Sequence, residues 1–267
     1  MQNHPCVLTI AGSDSGGGAG IQADLKTMAV LGGYGTSVIT ALTAQNGLGV
    51  TGIHAPDADF VVQQLTTVLD GFPIAAAKTG MLFSAPIITG VAGVLKKQRF
   101  PLVIDPVSVS TSGHALLQQD AVDALIEHVL PLAAVVTPNK PEAEMLAGMK
   151  IETDADAETA IKRIQAMGPK AVLLKGGHFK EDEEELVDWL GLPGEPPLGL
   201  HHQRIATGNT HGTGCTLSAA IATYLALGFD LKTSVKKAQV YLSLCLRESY
   251  APGEGFGPPN HFAPCTQ

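Results

Sequence analysis

The densest concentration of chemistry-capable residues is Asn209-Thr210-His211-Gly212-Thr213-Gly214-Cys215-Thr216-Leu217-Ser218-Ala219-Ala220. Two glycines and small side chains lead straight into an apolar helical run. Such a loop aims several backbone N–H groups, and the positive end of the helix dipole, at one point. That point suits the charge spread over a phosphoryl group in flight. Cys215 falls at the helix start, where a thiol pKa is expected to drop and the thiolate to become accessible. The plainer alternative is a glycine-rich cap on a buried helix with an inert cysteine.

A second glycine-rich stretch, Gly12-Ser13-Asp14-Ser15-Gly16-Gly17-Gly18-Ala19-Gly20, lies between a strand-like and a helical pattern. It is not a Walker A loop, because no Gly-Lys-Ser/Thr occurs in the chain. It also misses the dinucleotide fingerprint, since Ile21 stands where a third Gly or Ala belongs. Asp24, in the first turns of the following helix, reads equally as a dipole partner or a substrate acceptor. A third set sits at strand ends: Asp105 after Leu102–Ile104, Asn139 and Glu142 after Ala133–Val136, and Lys175-Gly176-Gly177-His178 after Ala171–Leu174. Each alone is an ordinary turn former, first-turn acid or surface charge. Converging on one edge, they suit polyphosphate and magnesium, which takes only one or two protein carboxylates.

The elements that position these residues alternate along the chain. Strand-like runs Cys6–Ala11, Ser37–Leu42, Ile74–Ala77, Leu102–Ile104, Ala133–Val136 and Ala171–Leu174 are interleaved with helical patterns. These cover Ile21–Leu31, Asp59–Leu69, Pro86–Lys97, Ala121–Leu130, Pro141–Leu146 and Ala155–Met167, and two helices close the chain. The strands are continuously apolar, which predicts an α/β fold with a mostly parallel sheet covered by helices on both faces. Ligands then belong beyond the carboxyl ends of the strands. Gly47–His54 is strand-like and reads as a small flap, Leu192–Gly199 as a loop, His201 and His202 as loop residues, and Cys245 as core packing.

Composition narrows the function classes. With 267 residues, 45% apolar, and no linker or repeat, a single domain over 1–267 is expected. The net charge of −8 and the absence of any long basic run argue against a polynucleotide partner. The run Glu181-Asp182-Glu183-Glu184-Glu185 reads as a solvated turn. Four cysteines without paired spacing, no signal-like N-terminus and no apolar run long enough for a membrane imply a cytoplasmic protein. The histidines show no zinc spacing.

With these residues in view, the chain resembles the hydroxymethylpyrimidine/phosphomethylpyrimidine kinases of thiamine biosynthesis, in the ribokinase-like superfamily. The resemblance runs nearly end to end. It includes Leu8–Asp14, Gly17–Thr27, Val38–Asn46, Lys78–Leu82, Asp105-Pro106-Val107, Thr137-Pro138-Asn139, Lys175–His178 and Asn209–Ala220. It implies a three-layer α/β/α sandwich and ATP-dependent phosphorylation of the hydroxymethyl compound and then of its monophosphate. By resemblance, Gly12, Asp24 and Gln45 hold an aminopyrimidine, with Met81 and Val107 lining its pocket. Asn139, Lys175 and Gly176 meet ATP, and Asp105 and Glu142 stand near magnesium. Gly212, Thr213, Gly214 and Cys215 form the anion hole, with Cys215 where most superfamily members carry an aspartate base. Superfamily relatives are often homodimers. The sequence departs from the family pattern at Gly16, Ser108, Thr111 and Gly208, positions that bear on phosphate contacts. A pyridoxal/pyridoxine kinase of the same fold, a non-catalytic pyrimidine sensor and a cysteine hydrolase using Cys215 with His211 are the competing readings.

Overall fold

In a computed structural model, which describes residues 4–107, 119–176 and 184–265, the apolar runs become the strands of a single sheet. The strands are β1 (Cys6–Asp14), β2 (Tyr34–Asn46), β3 (Gly49–His54), β4 (Ile74–Thr79), β5 (Leu102–Ile104), β6 (Val135–Val136), β7 (Val172–Leu174), β8 (Glu185–Gly191) and β9 (Leu198–Gln203). Their order across the sheet is β3-β2-β1-β4-β5-β6-β7-β8-β9. From β2 to β7 every neighbouring pair is parallel, while β3, β8 and β9 are antiparallel additions at the two edges. The mostly parallel sheet expected from the sequence is therefore present.

Both faces are covered. The helices are α1 (Gly20–Val30), α2 (Ala58–Gly71), α3 (Ala85–Leu95), α4 (Gln119–Ala124), α5 (Lys140–Ala147), α6 (Asp154–Gln165), α7 (Thr213–Ala226) and α8 (Leu231–Arg247). On one face, Val61, Leu65, Ile88, Val91, Ala143, Ile161 and Ile164 pack on Leu8, Ile10, Ile104 and Val136. On the other, Met28, Ala220, Ile221, Val235 and Cys245 pack on Val7, Val103, Val135 and Leu173. Cys245 is fully buried there, as its helical spacing implied.

The chain winds outward in one direction from β1 to β2 and in the other from β4 through β7. The switch falls between β1 and β4, whose carboxyl ends carry Gly12–Asp14 and Gly80–Met81. Such a switch opens a crevice at the sheet edge. Several elements differ from expectation for local reasons. The helix after Gln119 loosens to a π turn over Leu125–Val129 and ends in a 3-10 turn at Leu130–Leu132, because Pro131 lacks the N–H that would continue it. Glu185, read as part of a solvated turn, begins β8, and His201 and His202, read as loop residues, lie in β9. Ser108, Thr111, Gly177, His178 and Glu181–Glu183 lie outside the described residues.

Candidate active site

The carboxyl edge of the sheet opens into a cavity of about 600 Å³. Its floor comes from strand ends and its wall from the first turn of α7. Gly12, Gln45, Met81, Val107, Asp105, Asn139, Glu142, Lys175, Gly212, Thr213, Gly214 and Cys215 all line it, although they are spread over two hundred positions of sequence.

The loop before α7 is built for anions. Gly212 caps the helix at φ 84°, a left-handed conformation that glycine adopts without strain. A Cβ at Gly212 would also collide with the carbonyl of Gly18, so the two glycine-rich loops meet backbone to backbone. Thr213 N–H turns back to Thr210 O at 3.3 Å, which leaves the N–H groups of Gly214 and Cys215 without acceptors inside the helix. Lys175 Nζ stands 3.1 Å from Asp105 Oδ1, and both would crowd any side chain placed at Gly214. Burial presses the Lys175 ammonium toward neutrality, but Asp105 and Glu142 outweigh it and hold its pKa above the ordinary lysine value. A fixed cation thus faces the helix N-terminus.

Asn139 and Glu142 do local work as well. The Asn139 side chain accepts from Glu142 N, and the Glu142 carboxylate accepts from Asn139 N, both at 2.9 Å. This reciprocal cap starts α5 and fixes both side chains at the cavity rim. Asp105 and Glu142 fit magnesium's need for one or two carboxylates completed by water and phosphate oxygens. Among the described residues there is no cluster of three or more ligands that would hold a metal by protein alone.

Cys215 corrects the expectation of a lowered thiol pKa. Burial, first, and the nearby carboxylates of Asp24 and Asp105 push its pKa up to about 12, against the opposing pull of Lys78 and the Gly20 N–H bonded to it. Position at a helix N-terminus is too weak an influence to overcome desolvation. The thiol is neutral at physiological pH.

Two expected ligand contacts are not at the cavity. Asp24 lies on the core face of α1, fully buried, 3.2 Å from Lys78 Nζ and 2.6 Å from Thr9 Oγ1. It pairs with a buried lysine and is not among the residues that line the cavity. Gly176 is also buried and outside the lining, and a side chain there would run into Val187 O of β8. Its N–H donates to Asp188 Oδ1 at 2.6 Å.

Asp188, which also lines the cavity, had no individual signal in the sequence. Asp188 on β8 also accepts from Gln239 Nε2 at 2.6 Å and faces His202 Nε2 at 3.2 Å. At the opposite end, Asp14 accepts backbone N–H bonds from Gly16, Gly18 and Ala19, and meets His211 Nε2 at 2.9 Å. Burial pushes the Asp14 pKa up, but His211 and these N–H groups more than offset it, and the net shift is downward. The amide of Gln45 sits beside this pair. Its Oε1 is 3.0 Å from Thr43 Oγ1 and its Nε2 is 3.4 Å from His211 Nε2. Thr40 Oγ1 donates to Met81 O at 2.6 Å, fixing the segment whose side-chain methyl packs against Gly12.

Known proteins resemble this chain in sequence and fold. A family model described as phosphomethylpyrimidine kinase matches residues 14–260. A hydroxymethylpyrimidine/phosphomethylpyrimidine kinase of Synechococcus elongatus is 49% identical over 260 residues, covering 97% of this chain and 98% of that one. A protein of the same description from Haemophilus influenzae is 48% identical over 265 residues, covering 98% of both. Among solved structures, a Bacillus subtilis pyridoxal kinase in complex with ADP superposes with a TM-score of 0.90 at 37% identity, covering 99% of this chain and 100% of that one. A Clostridium difficile phosphomethylpyrimidine kinase gives 0.79 at 42% identity, over 90% and 98%. The fold is ribokinase-like. On this extent of match, the chain belongs to the phosphomethylpyrimidine kinase family.

Proposed function

We propose that this enzyme transfers the γ-phosphoryl group of ATP to 4-amino-5-hydroxymethyl-2-methylpyrimidine, and then to the resulting monophosphate. The observation that carries the reading is one cavity in which an amide that suits an aminopyrimidine, Gln45, shares its walls with Lys175, Asp105 and the open first turn of α7. An amide offers a donor and an acceptor side by side, which matches a ring nitrogen next to an exocyclic amine. Met81, Val107 and Gly12 supply the apolar surroundings of the ring.

In the transfer, the substrate hydroxyl oxygen forms a bond to the γ-phosphorus as the bond to the departing diphosphate breaks. Negative charge on the moving group is met by the N–H groups of Gly214 and Cys215, the α7 dipole and Lys175. Asn139 and Lys175 face the nucleotide phosphates. Magnesium, carried with ATP, would neutralise phosphate charge beside Asp105 and Glu142. Cys215, protonated in the free enzyme, is not a preformed base. Positioning and charge compensation carry the reaction, and the hydroxyl proton passes to solvent water as the phosphorus–oxygen bond forms.

A cytoplasmic location fits the four unpaired cysteines. A homodimer is the expected assembly, and sedimentation equilibrium measures it directly.

The deciding experiment is a coupled ATPase assay with hydroxymethylpyrimidine, its monophosphate and pyridoxine offered separately. Turnover on both pyrimidines with weak turnover on pyridoxine is expected. Turnover on pyridoxine alone would move the acceptor to the vitamin B6 ring, a reading favoured only by the likeness to pyridoxal kinases.

A further inference from the structure

The hydrogen-bond chain around Gln45 contains two conflicts that share one solution. Thr43 Oγ1 has a single hydrogen, and the carbonyl oxygen of Ser13, 3.0 Å away, has none to offer. That hydrogen therefore points at Ser13, and the Gln45 atom 3.0 Å on the other side must donate. On the far side of the amide, the Asp14 carboxylate already accepts three backbone N–H bonds and can only accept again. His211 Nε2, 2.9 Å from Asp14 Oδ2, therefore carries a hydrogen, whether or not Nδ1 does too. That hydrogen is engaged by Asp14, and a protonated ring nitrogen has no lone pair. An amide nitrogen 3.4 Å away would set N–H against N–H, whereas an amide oxygen there faces the positive side of the ring N–H.

We infer that Asp14 and His211 are positioning residues that lock the Gln45 amide with Nε2 toward Thr43 and Oε1 toward His211, and so fix which order of donor and acceptor the enzyme accepts on a heteroaromatic ring. A half-turn of the amide removes both conflicts: Nε2 donates to Thr43 Oγ1, and Oε1 in place of an amine faces the His211 N–H that Asp14 holds. The remaining lone pair of Oε1 then receives a ring amine, and the second N–H of Nε2 meets the adjacent ring nitrogen. A ring with a carbonyl beside an N–H presents the reverse order and leaves two like groups facing each other, which is costly in a site built to hydrogen-bond. This inference rests on the reading that Gln45 meets the ring.

The test uses the 4-amino ring and its 4-oxo counterpart, which carry the same hydroxymethyl acceptor. In the unaltered enzyme the amino ring is preferred in kcat/KM by about 100-fold or more. His211→Phe removes the N–H that Oε1 faces, and Thr43 can then swing its hydrogen from Ser13 to an amide turned the other way. The preference therefore shrinks by about tenfold or more, while KM for ATP stays put. A parallel loss on both rings would mean a merely structural histidine and would overturn the inference. Independently of any variant's folding, nitrogen-15 NMR of the ligand-free enzyme should show His211 protonated at Nε2. A neutral ring protonated only at Nδ1 would also overturn it. Gln45→Ala isolates the underlying reading: unchanged KM for the amino ring would remove Gln45 from the substrate site, whatever the state of His211.

Discussion

Lys78 Nζ lies 3.2 Å from both carboxylate oxygens of Asp24, with neither side chain exposed to solvent. Thr9 completes the cage with a 2.6 Å hydrogen bond. Burial pulls the Lys78 ammonium toward neutrality, yet Asp24 and the other nearby acidic groups hold its pKa above the ordinary value. The pair joins α1 to β4 beneath the cavity.

Breaking this pair from one side should cost more than removing it. Lys78→Met leaves a buried carboxylate without its cation and is expected to destabilise by about 3–5 kcal/mol. The double variant Lys78→Met/Asp24→Leu should recover a large part of that loss. Urea unfolding of the two variants checks this. Equal losses would show that the ion pair is not the partner relationship that matters.

A thiol with a pKa of about 12 holds only about one part in ten thousand as thiolate at pH 8. Alkylation of Cys215 by iodoacetamide in the free enzyme should be slow at that pH and rise about tenfold per pH unit through pH 10. A plateau by pH 9 would mean that burial does not dominate. Because the thiol is not a preformed base, Cys215→Ser should retain kcat within about tenfold.

Lys175 and Asp105 are expected to matter for the chemical step more than for binding of the pyrimidine. Lys175→Met should lower kcat by about 10²–10³-fold, with little change in the affinity for hydroxymethylpyrimidine measured by calorimetry. A fall in pyrimidine affinity of the same size would place the lysine at the ring and not at the phosphates.

His261 gives stability a pH signature. Its ring is 3% exposed, Nε2 lies 3.0 Å from Thr216 Oγ1, and burial, helped by Lys26, lowers its pKa from 6.5 to about 4. Between those values the unfolded chain takes up a proton that the folded chain refuses, so stability falls as pH drops through that window. The loss reaches about 3 kcal/mol below pH 4. Urea midpoints at pH 7 and pH 4.5 should converge for His261→Gln relative to the unaltered enzyme. An unchanged pH dependence in the variant would assign the acid sensitivity elsewhere.

The parallel core of the sheet was legible in the sequence because strands buried on both faces are continuously apolar, as Leu102–Ile104 and Val172–Leu174 are. β8 and β9 were not, since Glu185-Leu186-Val187-Asp188-Trp189 mixes exposed and buried positions, and His201-His202 carries no apolar signal. The phosphate-facing loops announced themselves through glycine spacing. The roles of Asp24 and His211 did not, because each is decided by a partner far along the chain. Lys78 is 54 positions from Asp24, and Asp14 is 197 from His211. A carboxylate on a helix looks the same in sequence whether it faces a ligand or a buried lysine.

The contact between Gly212 and Gly18 ties the loop after β1 to the loop before α7 main chain to main chain, beside the Asp14–His211 side-chain bond. The two behave as the jaws of a clamp riveted there and latched by the Asp14–His211 bond, so the gap between acceptor and anion site rests on those two ties. A Cβ at Gly212 would pry the jaws apart and misalign every acceptor alike. Retuning the enzyme toward a different ring must therefore be done with the side chains at the pocket's far end, and the distance to the phosphoryl group comes along unchanged.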